Sequence, residues 1–291
     1  MKLFKFGHFV TGLALSVSIF AVSAGNLLAD EAAQSVATGA ESLAPSASKI
    51  IGTLEFRAEY YGEKGALDTT NCVELGYQFN PDFKINWYQG FITNLYNPEA
   101  TPAGINSMFE QGFLRTRLSN IWKDDSLSLS YESRIFAPTW QPEIAQGNIT
   151  RIYNKFTLSR KVNDSFTFSV AEVFMPQIFR TAGTIETGAN PWFQNRVGLI
   201  ADFQLSSKLS LSFPVLYYLT LYRDYMEGAA NNNAMGSLVF IWPELSYALT
   251  PNVALALAFI SDNLFTADLS KVTIGEGLKK GATQLALSLS L

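Results

Sequence analysis

Residues 284–291 read Gln-Leu-Ala-Leu-Ser-Leu-Ser-Leu, so every second side chain in this stretch is leucine. A period of two places the leucines on one face of a β-strand and the small side chains on the other. The same alternation occurs at 253–259 (VALALAF) and at 197–205, where apolar side chains interleave with Gly198, Asp202 and Gln204. These stretches predict strands with one oily face and one small or polar face.

Twelve segments of this kind are predicted along the chain. They lie at 50–61, 71–79, 83–93, 109–121, 126–136, 149–161, 165–175, 193–205, 208–222, 236–249, 252–262 and 281–291. Pro214 and Pro243 fall inside two of them and predict bulges or a locally broken ladder, since proline has no backbone N–H to donate.

The predicted connections alternate in length. Five are short and have turn chemistry: Asn80–Asp82, Trp122–Asp125, Val162–Asp164, Ser206–Ser207 and Thr250–Pro251. Six are long, at 62–70, 94–108, 137–148, 176–192, 223–235 and 263–280. This pattern predicts an all-β fold over residues 49–291, a transmembrane up-and-down antiparallel β-barrel of about 12 strands. Short turns are expected on the periplasmic side and long loops outside.

Other folds fit less well. A soluble β-sandwich has many short strands, but nothing in it forces short and long connections to alternate. A soluble lipocalin-type barrel would be closer to half this length. A helical membrane protein is excluded, because no stretch after the first 24 residues approaches 18 consecutive apolar residues.

The start of the chain has the features of an export signal. Lys2 and Lys5 precede an apolar stretch, Phe9–Val22, which ends in the small-x-small pattern Val22-Ser23-Ala24. We predict a signal peptide at 1–24, with a second possible cleavage after Ala29, and consider a membrane anchor less well supported because the stretch is short. Residues 25–48 are predicted to be a flexible periplasmic lead-in or, alternatively, to hold a short helix that folds into a pore.

Composition narrows the possible chemistry. Charged residues make up only 16% of the chain and aromatic residues 13%. The chain without the signal has 19 basic and 25 acidic side chains, a net charge of −6, which argues against nucleic acid as a partner. The full sequence has one histidine, His8, which is removed with the predicted signal peptide, and one cysteine, Cys72. No His-dependent active site, no His- or Cys-based metal site and no cofactor is expected, so the protein is predicted not to be an enzyme.

With the strand count, the alternating connections and the final strand Gln284–Leu291 in view, the chain resembles the outer-membrane β-barrels of Gram-negative bacteria, including small porin-like channels. It ends in Leu291, where members of this class typically end in an aromatic residue. The resemblance implies insertion in the outer membrane, contact with lipid and lipopolysaccharide, and handling by the barrel-assembly machinery. Aromatic residues near the predicted short turns favour an interfacial girdle: Phe79, Phe83, Trp122, Phe166, Phe203 and Tyr247.

Charged side chains opposite the apolar face are expected to point inward, because a charge facing lipid is costly. The expected inner set is Glu55, Arg57, Glu59, Glu74, Lys84, Arg115, Arg117, Glu132, Arg134, Arg151, Lys155, Glu172, Arg196 and Asp202. Among these, we predict a pore lining of Arg57, Arg115, Arg117, Glu132, Arg134, Arg151, Lys155 and Arg196. Neighbouring strands at 109–121, 126–136 and 149–161 would form a basic stretch of wall.

Two functions are compatible with this inner face. The first is a passive channel for small hydrophilic solutes with a weak preference for anions. The second is a plugged structural or surface-recognition barrel, in which salt bridges fill the interior and the extracellular loops carry the function. In the channel, loop 94–108 or, preferably, loop 176–192 with Arg180 and Glu186 is expected to fold inward as a constriction.

Overall fold

The computed structural model describes residues 50–96, 106–184, 188–223, 235–266 and 269–291. The predicted signal peptide at 1–24 and lead-in at 25–48 lie outside these residues. The strands are β1 (Ile50–Tyr61), β2 (Ala66–Asn80), β3 (Phe83–Tyr96), β4 (Asn106–Phe109), β5 (Gly112–Lys123), β6 (Leu127–Ala137), β7 (Asn148–Asn163), β8 (Phe166–Phe179), β9 (Gly183–Thr184), β10 (Gly188–Ala189), β11 (Pro191–Gln204), β12 (Leu209–Tyr222), β13 (Met235–Ile241), β14 (Glu244–Thr250), β15 (Val253–Ile260) and β16 (Ala282–Ser290). The helices are α1 (Gln141–Ala145) and α2 (Ile274–Lys280).

The strands close into a barrel. Sequential wall strands pair antiparallel, and the ring is completed where β1 pairs β16 and where β11 pairs β12. β4 and β5 both pair β3 and share one position in the wall, while β13 and β14 share another beside β12. β9 and β10 form a separate hairpin. The wall therefore has twelve positions, which confirms the predicted up-and-down antiparallel barrel.

The two ends of the barrel differ in their connections. At one end, here called the turn end, five connections have two to four residues. At the other, the loop end, the connections after β3, β6, β8, β12 and β15 are longer. The connection after β6 holds α1 and the one after β15 holds α2, and all except the one after β6 include residues outside the described ranges. The predicted long loop at 62–70 is wrong: β1 and β2 stay paired up to Tyr61 and Ala66, and Gly62–Gly65 form a tight turn. Gly65 has a φ of +59°, which glycine adopts without strain.

The inserted prolines break one ladder, as predicted. β12 pairs β13 as far as Val215 and Ile241, and pairs β14 only from Ser212 and Glu244 onward. Between these pairs lie Pro214 on one strand and Pro243 on the other, and each lacks the N–H that a regular ladder requires. The predicted single strand at 236–249 is therefore two strands separated by Trp242 and Pro243.

The alternation separates an outer face from an inner one. On β8 each position from Phe168 to Phe179 is alternately exposed and buried. Exposed aromatic residues surround the turn end, where Phe79 stacks on Phe83 and Phe166 stacks on Phe203 with ring centroids 4.9 and 4.8 Å apart. In the described part of the chain, no helix has the length and hydropathy that crossing a membrane requires.

Candidate functional site

The inner face of the barrel collects most of the charged side chains of the strands. All eight residues predicted to line a pore lie on this face: Arg57, Arg115, Arg117, Glu132, Arg134, Arg151, Lys155 and Arg196. Glu172 is the exception in the larger inner set, because it is exposed on the outer face of β8. It shares its parity with Phe168 and Val170, but Val173 and Met175 make the other face of β8 apolar as well, so the alternation alone does not assign its side.

Arginine and aromatic side chains alternate around half of the inner wall. Register pairs place Arg134 beside Tyr153 and Arg196 beside Tyr218. The Cζ atom of Arg134 lies 4.4 Å from the ring centroid of Tyr153 and 5.0 Å from that of Phe113. The Cζ atom of Arg196 lies 4.3 Å from the ring centroid of Tyr218 and 5.8 Å from that of Tyr153. We call this series, Phe113–Arg134–Tyr153–Arg196–Tyr218, the arginine–aromatic ladder.

The ladder lies in a filled layer of the barrel, in which large side chains are fully buried. Arg134 and Tyr153 are each 1% exposed, and Met175 on β8 is 0% exposed. Cation–π contacts hold guanidinium groups against ring faces without neutralising their charge. This layer therefore keeps fixed positive charge in a buried part of the barrel.

One carboxylate, Glu132, neutralises part of this basic wall. Its Oε2 atom accepts a hydrogen bond from Arg117 Nε at 2.6 Å, and its Oε1 atom lies 3.7 Å from Arg115 Nε. Arg134 also donates to Glu132 from the same strand. Three guanidinium groups thus share one buried carboxylate, so this part of the wall is positive overall.

Acidic groups predominate further along the wall, at β1 and β2. Glu55 pairs with Arg57, and Glu59 accepts a hydrogen bond from Gln284 on β16 at 2.6 Å. Glu74 on β2 reaches across to Arg115, whose Nη1 lies 3.0 Å from its Oε2. The charges of the inner face are therefore segregated, with acids toward β1 and β2 and most bases on β5, β6, β7 and β11.

Helix α1 closes part of the loop end. Pro142 lies in its first turn, where the missing N–H costs nothing. Glu143 points to the inner wall, where its Oε1 lies 2.9 Å from Arg151 Nη2, and Gln111 and Asn148 donate to its Oε2. Burial raises the pKa of the Glu143 carboxyl, while Arg151 and the bond from Gln111 act in the opposite direction.

The structure describes an inward segment between β6 and β7, whereas the constriction expected at 176–192 lies partly outside the described residues and stays a prediction. Arg180 in that loop is exposed, and Glu186 lies outside the described residues, as does most of the alternative at 94–108. Nothing in the short stretch around α1 has a period that would have indicated an inward position. Its inward position depends on the tertiary partner Arg151.

A cavity of about 470 Å³ occupies the turn-end half of the barrel. Its basic side is lined by Lys84, Arg117 and Lys155, and its other side by Asp202 and Glu244. The two acids are held by neighbouring hydroxyls, since Ser212 donates to Asp202 at 2.6 Å and Ser246 donates to Glu244 at 2.9 Å. The cavity ends against the filled layer at Trp242, Leu216 and Val173.

Besides Glu143, sequence reasoning missed the inner acids Glu110 and Glu244. Glu110 lies between β4 and β5, where the register against β3 is irregular, and its side chain fills the space that Gly90 leaves open. Glu244 follows the break at Pro243, which obscures the period of two. Groups of three or more His, Cys, Asp or Glu residues that could hold a metal ion are absent from the described ranges.

The comparisons with known proteins support the fold. No protein-family model and no curated protein matches the sequence. Among solved structures, an outer-membrane channel from Pseudomonas putida F1 superposes with a TM-score of 0.57 at 10% identity, over 85% of this chain and 97% of that one. The NanC porin superposes with a TM-score of 0.52 at 13% identity, over 82% of this chain and all of the other. At these identities the likeness shows that this chain has the barrel fold of outer-membrane channel proteins.

Proposed function

We propose that this protein is a porin-like channel of the bacterial outer membrane, through which small hydrophilic solutes diffuse with a weak preference for anions. The observation that carries the proposal is the basic inner wall, formed by the arginine–aromatic ladder and, in the cavity beside it, Lys84, Arg117 and Lys155. A solute that leaves water needs polar groups to replace its hydration shell, and guanidinium groups held on rings supply them to anions.

The preference is expected to be weak because the whole inner face is nearly balanced. Glu110 and Glu244 add to the acids at β1 and β2, and Asp202 faces the basic side of the cavity. An anion would follow the positive strands β5–β7 and β11, while a cation would meet the acids across the lumen. Because the fixed charges are segregated, anions and cations are expected to take different paths through the lumen, although the net charge of the inner face is small.

The topology supports a location for each part of the chain. β1 starts and β16 ends at the turn end of the barrel. If the chain is exported and its 1–24 segment is cleaved, this end would lie in the periplasm. The loop end, with α1 and α2, would then face outside among lipopolysaccharide. The barrel-assembly machinery would insert the chain, with no cofactor and no covalent step in transport.

The second candidate is a plugged structural or surface-recognition barrel, in which the extracellular loops carry the function. The near-complete burial of Arg134, Tyr153 and Met175 favours it, because this layer leaves little space between the cavity and the loop end. For the channel, the side chains of this layer must move aside when a solute passes.

Planar-bilayer conductance separates the two candidates. The channel predicts stepwise openings in KCl with a reversal potential on the anion-selective side. The double variant Arg117→Ser/Lys155→Ser removes two cations from the cavity and should shift the reversal potential toward cations. Arg160→Ser, an exposed residue near the turn end of β7, is the matched control and should behave as wild type. A correctly folded barrel that stays silent, or a shift as large in the control, would refute the channel.

A further inference from the structure

One side of the outer face is polar at a level where the opposite side is apolar. Outward positions on successive strands carry Thr116 on β5, Ser133 on β6, Asn154 on β7, Glu172 on β8 and Asn195 on β11, here called the polar strip. Register pairs connect it directly, since Thr116 lies opposite Ser133 and Ser133 lies opposite Asn154. On the other side of the barrel, outward positions of β15 and β16 are apolar, among them Leu255, Leu257, Leu285 and Leu287.

Glu172 lies near the middle of its strand. It follows Phe166 by six residues and precedes Phe179 by seven. Six residues span about 20 Å along a strand, and a tilt of roughly 40° turns this into about 15 Å of height, half of a hydrocarbon core about 30 Å thick. Its outward neighbours on β8, Val170 and Phe174, are exposed and apolar. An exposed carboxylate at this depth would face acyl chains unless another surface covers it.

The strip satisfies part of its own hydrogen bonding and leaves specific groups for a partner. Tyr131 donates its hydroxyl hydrogen to Asn154 Oδ1 at 2.8 Å. Asn195 Nδ2 donates to Val173 O at 3.1 Å and, over 3.4 Å, to Glu172 Oε1. Asn154 Nδ2 directs one hydrogen at Phe174 O over 3.4 Å and carries a second. The strip therefore offers a carboxylate acceptor on β8 beside an amide donor on β7.

We propose that this face is the contact between two copies of the chain, related by a two-fold axis that runs along the membrane normal between β7 and β8. Such an axis brings Glu172 of each copy against Asn154 of the other, so the acceptor meets the donor twice. A second copy inserted in the same direction presents its own strip at the same depth, because both barrels sit at the level of the same aromatic girdles. Lipid offers no hydrogen-bond donor at that depth.

Cysteine cross-linking in phosphatidylcholine vesicles tests this contact. With Cys72, which is buried, changed to Ser, Leu158→Cys places a thiol on the outer face of β7 opposite Val170, close to the proposed axis. Oxidation should give a covalent dimer. The matched control, Leu257→Cys, is equally lipid-facing on the opposite wall and should give none.

Two further variants link the dimer to the strip. Adding Glu172→Leu or, separately, Asn154→Leu to Leu158→Cys should abolish the cross-link, and heat-dependent gel mobility confirms that each barrel is folded. Having two variants guards against the failure of one to fold.

The proposal is overturned if Leu158→Cys gives no dimer, if Leu257→Cys gives as much, or if both leucine variants cross-link like the parent. A cross-linked product with a different protein in intact cells, without the homodimer, would also overturn it. Conductance of the variants is recorded separately, so loss of the dimer is distinguishable from loss of the channel.

Discussion

Changing Glu132 to Gln tests whether one carboxylate holds the basic wall together. The substitution keeps the shape of the side chain and removes the charge shared by Arg115, Arg117 and Arg134. The side chains of Glu132 and Arg117 are 8% and 12% exposed, so lumen water screens the unbalanced cations only slightly. Breaking a buried ion pair by removing one partner costs about 3–5 kcal/mol.

We expect the lower end of that range, about 3 kcal/mol, because the amide oxygen of Gln still accepts one hydrogen bond. With a denaturant slope of about 2 kcal/mol per molar urea, the unfolding midpoint should fall by about 1.5 M. The assay is urea unfolding in lipid vesicles, followed by tryptophan fluorescence. Asp164→Asn, at an exposed turn beside Lys161, is the matched control and should leave the midpoint unchanged.

A second substitution distinguishes charge imbalance from lost packing. If three cations around a neutral Gln cause the instability, adding Arg134→Gln should restore part of the midpoint, a non-additive result. A wild-type midpoint for Glu132→Gln would show that Glu132 does not stabilise the basic wall. A double variant in which the two losses simply add would contradict the explanation by charge imbalance.

The remaining predictions concern the loop end, the close strand packing and the filled layer. Because burial raises the pKa of Glu143, the contribution of this group to stability should be fully present below the ordinary glutamate pKa and be lost as pH rises through the raised value. Glu143→Gln should remove this contribution from the slope of urea midpoints measured against pH. Gly76→Ala would place a Cβ 2.4 Å from the backbone oxygen of Ile85 and should cost about 1–3 kcal/mol, whereas Gly62→Ala, with nothing nearer than 4.0 Å, should leave the midpoint unchanged. Trp242→Ala, between the cavity and the filled layer, should lower the midpoint and raise single-channel conductance, and an unchanged conductance would contradict the placement of Trp242 beside the path.

Local alternation in the sequence is enough to assign the main wall strands and most of their faces. A period of two is a local property, because successive side chains of a strand point to opposite sides whatever the strand pairs with. Stretches such as 284–291 therefore indicated a strand and its faces together, and the alternation of short and long connections indicated an even number of strands. The cost of a charge in lipid then assigned Arg115, Arg134 and Arg196 to the inside correctly.

The side of Glu172, the partners of Glu132 and the inward position of Glu244 depend on contacts between distant segments. On β8 both faces carry apolar residues, Val170 and Phe174 on one and Val173 and Met175 on the other, so an argument from charge placed Glu172 on the wrong side. Register between strands brings three arginines to Glu132, and the break between Pro214 and Pro243 turns Glu244 inward. These contacts depend on how distant segments are staggered around a closed ring, and no short-range pattern in the chain encodes that stagger.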